Sequence, residues 1–180
     1  MVEKRDIEPT PAKNRTIVER TSERELVVTR TFDAPARLVF EAWTTPELLK
    51  QWWVPKSMGM SLLSLDADVR TGGRYCLVFS HDASTMEFFG TYIEVTPHSR
   101  LVWTNEENGD NGSVTTVTFE EADGKTLLVM RELYPSKDAL DAAGTGSADA
   151  TVETFAQLDE LLSARIDSMN TESIAPQCVS

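Results

Sequence analysis

Residues 41–55 read EAWTTPELLKQWWVP and hold three of the four tryptophans of the chain. Two prolines frame the stretch. Pro46 suits the first turn of a helix, where a missing N–H costs no hydrogen bond, and Pro55 cannot continue one. Between them Leu48, Leu49, Trp52 and Trp53 fall at i, i+1, i+4 and i+5, so PELLKQWW reads as a short helix. Adjacent positions on a helix point about 100° apart, so Trp52 and Trp53 cannot both face one partner. One is expected to pack under another helix while Trp53 borders the mouth of a cavity. Just upstream, Leu38, Val39, Ala42 and Trp43 share a helical face behind Asp33, a candidate N-cap, with Pro35 in the first turn. Trp43 is most simply core.

On either side of this helical pair the hydrophobic period is two. ELVVTRTF (25–32) reads as a strand. Further strands are expected at about 60–68, 73–80, 85–96, 99–107, 112–121 and 125–134. The turn chemistry between them, such as Thr71-Gly72-Gly73, His81-Asp82-Ala83-Ser84 and Asp123-Gly124, is short enough to join antiparallel neighbours. Beyond a small-residue-rich segment, TVETFAQLDELLSARI (151–166) sets Val152, Phe155, Leu158, Leu162 and Ile166 along one stripe, the mark of a long C-terminal helix. The lack of β–α–β alternation disfavours a doubly wound parallel sheet. The expected class is α+β, a curved seven-stranded antiparallel sheet wrapped around the last helix, with two short helices after the first strand. Where that helix does not fill the concavity, space for a ligand remains.

The 180 residues suffice for one domain with a sizeable core. We place it at 23–166, with polar, aperiodic and hence flexible segments at 1–22 and 167–180. A net charge of −12 repels phosphate backbones and anionic bilayers, which argues against nucleic-acid and membrane partners. The N-terminus has no apolar run like that of a signal peptide, and no window is long and apolar enough to span a bilayer, so a cytoplasmic location is expected. Cys76 and Cys178 show neither metal-ligand spacing nor a disulfide framework.

The blocks RELVVTRTFDAP (24–35), LVFEAWTTPELLKQWWVP (38–55), DVRTGGRY (68–75), GTYIEVTPHSRLVWT (90–104) and ETFAQLDELL (153–162) occur in an order that resembles the Bet v 1/START-like (SRPBCC) superfamily. Within it the chain is most similar to single-domain bacterial proteins related to the activator of the Hsp90 ATPase. The resemblance covers about residues 24–165 and implies a helix-grip fold with a hydrophobic cavity. Members of this group often carry Gly followed by an aromatic residue or Met at the cavity-facing turn of the last helix; here Ala150 and Thr151 stand there.

Strand alternation puts Tyr75, Leu77 and Phe79 on one face, with Met86, Phe88, Leu101 and Trp103 on the matching faces of later strands. Met130 in the last strand and Phe155 and Leu158 of the helix lie opposite. With Trp53 and Tyr92 these make the expected cavity wall. Gly90 is a candidate β-bulge that resets facing downstream, so Ile93 and Val95 stay off the wall. Glu132 shares its face with Leu128 and Met130 and is the candidate cavity acid, whereas Glu87 alternates towards solvent. Asp68 and Arg70 read as strand-end charges around a glycine turn. Loop positions for His81 and His98 give no held base, and Ser80-His81-Asp82 is no triad, because neighbours on an extended chain point different ways.

No catalytic set, metal site or cofactor follows from the residues. The expected activity is binding of an apolar small molecule or lipid. The alternatives are an acid–base enzyme on a bulky apolar substrate, or contact with an Hsp90-type chaperone, for which a single domain leaves little room. A homodimer through an exposed sheet face or edge is a further expectation.

Overall fold

The computed structural model describes residues 15–144 and 146–172. Strands β1 (Ile17–Arg20) and β2 (Glu25–Phe32) lead into helices α1 (Ala36–Thr44) and α2 (Pro46–Trp52). Six strands follow: β3 (Ser61–Ala67), β4 (Arg74–His81), β5 (Ser84–Thr96), β6 (Arg100–Thr104), β7 (Val114–Ala122) and β8 (Lys125–Leu133). Helices α3 (Lys137–Ala143) and α4 (Gly146–Glu172) complete the order. The eight strands form one curved antiparallel sheet in the order β1-β2-β8-β7-β6-β5-β4-β3.

The expected α+β helix-grip architecture is thus present, with eight strands where seven were expected. The added strand is the edge strand β1, paired along β2 from Ile17 against Thr29 to Arg20 against Leu26. It lies within the segment expected to be flexible, of which residues 1–14 are outside the described residues. Helix α4 begins earlier and ends later than the apolar stripe indicates, and residues 173–180, Cys178 among them, lie outside the described residues. Helix α3 was not foreseen. Its Ser136 hydroxyl caps the Ala139 N–H at 3.1 Å, and it buries only Leu140.

Pro35, expected in the first turn of α1, is its N-cap, and it offers no side-chain cap. A carboxylate from the sheet does that work instead, since the Ala36 N–H donates to Glu121 Oε2 at 3.1 Å. Asp33 pairs with Lys125 at 3.1 Å. Thr126, fully buried, donates to the Ala34 carbonyl at 2.7 Å and fixes the turn from β2 into α1.

The core lies between the concave face and α4. Phe32, Val117 and Leu128 from the sheet meet Phe155, Leu158 and Leu162 of the helix, all essentially inaccessible to water. Polar contacts hold α4 in place. Arg30 pairs with Asp159 at 3.2 Å and Arg165 with Glu41 at 3.1 Å. Gln157 accepts from the Lys56 N–H and donates to the carbonyls of Trp52 and Val54, tying the segment after α2 to the helix.

Candidate functional site

All four tryptophans meet at one place. Trp43 of α1 has its ring centroid 4.9 Å from Trp52, 5.6 Å from Trp53 and 5.9 Å from Trp103 of β6. Trp52 is fully buried, and its Nε1–H donates to the Ala42 carbonyl at 2.9 Å, locking α2 against α1. Its neighbour Trp53 caps α2 and remains partly exposed. Trp53 lines a cavity of about 40 Å³, with Trp43 and Trp103 as further walls. Tyr75, Leu77 and Tyr92 supply the sheet side; Leu49 and Leu101 complete it.

The sheet holds its side of the cavity by backbone geometry. The Gly72 N–H donates to the Tyr92 carbonyl and the Tyr92 N–H to the Gly73 carbonyl, each at 2.8 Å, so the DVRTGGRY turn fixes Tyr92. Gly72 has φ +85°, which a side chain resists, while a Cβ on Gly73 would sit 1.8 Å from the Asp68 carbonyl oxygen. Asp68 and Arg70 pair with each other at 2.8 Å, both well exposed at the rim of this turn. Gly90 is not the bulge. A Cβ there would collide with the Thr104 carbonyl oxygen, so its role is close backbone approach, and the register shift falls between Tyr92 and Glu94. Ile93, skipped by that shift, is exposed.

Of the expected wall, Trp53, Tyr75, Leu77, Tyr92, Leu101 and Trp103 come together around the cavity. Phe79, Met130, Phe155 and Leu158 are buried in the surrounding core and do not line it. Met86 and Phe88 require correction. They share the concave face with their cross-strand partners Phe79 and Leu77, yet each is 38% exposed and neither lines the cavity. Trp43 and Leu49 were missed as wall residues. A helical stripe tells which side faces inward but not where packing stops short.

A polar row adjoins the apolar wall. Trp103, Thr115, Glu132 and Leu26 are successive cross-strand partners on β6, β7, β8 and β2. Glu132 accepts a hydrogen bond from the Tyr134 hydroxyl at 3.3 Å. Burial raises its pKa above the ordinary 4.5, and the charge of Glu107 raises it further. Glu107 lies in the β6–β7 connection, and its Oε2 is buried without a hydrogen-bond partner. Asn105 joins this row to the cavity: its Nδ2 donates to Thr115 Oγ1 at 2.9 Å, while its Oδ1 accepts from the Tyr75 hydroxyl at 3.3 Å. The same hydroxyl donates to the Thr104 carbonyl at 2.7 Å.

The histidines sit in turns. His81 lies 3.6 Å from the exposed Asp82, and the His98 ring packs edge-on to Phe40 at 5.6 Å. Cys76 is half-buried on the opposite sheet face, where Asp66, Cys76, Glu87 and Phe89 border an open depression of about 380 Å³. Among the described residues no group of His, Cys, Asp and Glu is placed to hold a metal ion, and no helix is long and apolar enough to cross a membrane.

Comparison with known proteins agrees with this architecture. A sequence model described as Activator of Hsp90 ATPase homolog 1-like protein matches residues 33–163. Among solved structures, a Rhodobacter sphaeroides protein is similar with a TM-score of 0.74 and 24% identity, over 83% of this chain and 98% of its own. A Nitrosomonas europaea protein gives 0.73 and 24%, over 82% and 99%. A Mycobacterium smegmatis protein gives 0.70 and 24%, over 83% and 98%. Such identities establish the shared fold. No curated protein matches the sequence.

Proposed function

Since the chain belongs to the Activator of Hsp90 ATPase homolog 1-like family, we propose that it binds an apolar small molecule or lipid between the tryptophan cluster and the sheet. The observation that carries this reading is unfilled space walled by the rings of Trp43, Trp53, Tyr75, Tyr92 and Trp103.

At about 40 Å³ the cavity is far smaller than the roughly 300–1,000 Å³ of ordinary ligand sites, so binding requires it to widen. The movable part is Trp53 with the segment leading to β3. Gln157 holds that segment, and Glu153 accepts from the Ser57 N–H at 2.9 Å. Gln157 is itself buried, so widening breaks its three hydrogen bonds together with the Ser57–Glu153 contact.

The test is titration with N-phenyl-1-naphthylamine, a neutral probe whose fluorescence rises in apolar surroundings. Trp53→Ala and Trp103→Ala are expected to weaken binding at least several-fold while circular dichroism stays native. Unchanged affinity in both folded variants would sink the reading.

A second reading draws on Glu132. A carboxyl group on the concave face with a raised pKa is a candidate general acid for a bulky apolar substrate. It differs from simple binding in one respect: Glu132→Gln would abolish turnover and leave ligand affinity intact. Contact with an Hsp90-type chaperone has support only in the family description.

A further inference from the structure

Two side chains of α4, one helical turn apart, fasten the strap of chain between α2 and β3. Gln157, buried, donates to the carbonyls of Trp52 at 3.0 Å and Val54 at 2.8 Å, and accepts from the Lys56 N–H at 3.0 Å. One turn earlier, Glu153 accepts twice from Ser57, from its N–H at 2.9 Å and from its hydroxyl. Among the described residues these are the hydrogen bonds that tie residues 55–59 to the rest of the molecule. Lys56, Ser57, Met58 and Gly59 are exposed, and Gly59 turns at φ +63° with no atom within 4 Å of where a Cβ would stand.

The fastening acts on one wall residue. The two carbonyls that Gln157 holds belong to the residues on either side of Trp53, so one amide sets the backbone from which that ring hangs. The ring itself rests edge-on to Trp52 at 5.3 Å and to Trp43 at 5.6 Å. With the strap fastened the cavity measures about 40 Å³, and a molecule of two or three aromatic rings needs several times that space. The fastened strap and a bound ligand therefore exclude one another.

A ligand that binds only a minor form of a protein has its apparent affinity lowered by the fraction of molecules in that form. Glu153 and Gln157 do not line the cavity, and whatever they contribute to the fastened form opposes the ligand. We propose that the strap is the door of the cavity and that Glu153 and Gln157 are positioning residues that latch it shut, so that loosening the latch tightens binding. This rests on the reading of the cavity as the binding site and names what governs access to it.

The experiment follows N-phenyl-1-naphthylamine by fluorescence titration and stopped flow in wild type, Glu153→Ala, Ser57→Ala and Glu160→Ala. The last removes an exposed carboxylate of the same helix and controls for charge. Glu153→Ala is expected to tighten binding about three- to ten-fold, the span of an ordinary hydrogen bond, through faster association at an unchanged dissociation rate. Ser57→Ala keeps the backbone bond and should tighten binding less; Glu160→Ala should not alter it. Amide hydrogen exchange supplies a readout that a merely local contact would not move. In Glu153→Ala the Lys56 N–H, which Gln157 holds, should also exchange faster, because the strap opens as one piece. Unchanged or weaker binding by Glu153→Ala, or an unchanged Lys56 exchange rate, would overturn the latch. The cavity reading would survive that result as long as Trp103→Ala still weakens the probe. If none of these proteins binds the probe, the cavity reading falls and takes this inference with it.

Discussion

The two halves of the concave face are built from the same kind of strand and end differently. Where α4 and α1 lie over β2, β7 and β8, Phe32, Val117, Phe119 and Leu128 are sealed. Towards β4 and β5 the same alternation continues, but the tryptophans of α1 and α2 leave a cavity between them and the sheet. Farther along, Met86 and Phe88 are each 38% exposed. The sheet pattern is uniform, so capacity for a ligand is set by what lies on the sheet.

The largest expected effect that would break this comparison is on stability. Leu158→Ala in the sealed half should cost about 2–5 kcal/mol, since the site cannot collapse around the lost methyls. Met86→Ala at the uncovered end should cost about 1 kcal/mol or less. Chemical denaturation of both variants gives the two numbers, and equal losses would mean that the halves are packed alike.

A smaller effect sharpens the comparison along the polar row. The carboxyl of Glu132 has its folded-state pKa raised above 4.5 by burial and by Glu107. The folded protein therefore holds a proton that the unfolded chain has released, and stability falls as pH rises from about 4.5 through the folded-state pKa. Glu132→Gln should remove this fall and make the protein more stable at neutral pH than wild type, with little difference near pH 4. Thermal unfolding across that range checks it. A wild type whose stability does not fall through the window would show that Glu132 is well solvated.

Much of the fold was legible because alternation from β2 to β8 is nearly unbroken and the glycine turns sit between the runs. Strand β1 was not, since IVER is only four residues long and mostly exposed, with its order coming from pairing along β2. Helix α3 escaped for a similar reason: one buried leucine makes no stripe. At the candidate site, alternation correctly sets which residues share the concave face, Glu132 and Phe88 included. It carries no information on how far the covering helices extend. For that reason Phe155 and Leu158 are core, Phe88 is open, and Trp43 belongs to the wall.

The adjacent tryptophans of QWWVP divide along that boundary, Trp52 locked into the sealed core and Trp53 left at the edge of the cavity. The account as a whole depends on that small space being where a ligand goes. Leu77→Phe tests it most directly, because it fills the space from the sheet side without removing any wall. The prediction is a protein at least as stable as wild type in thermal unfolding that no longer binds N-phenyl-1-naphthylamine detectably in fluorescence titration. A folded Leu77→Phe variant with wild-type affinity would contradict the account, for the ligand would then bind elsewhere on the molecule.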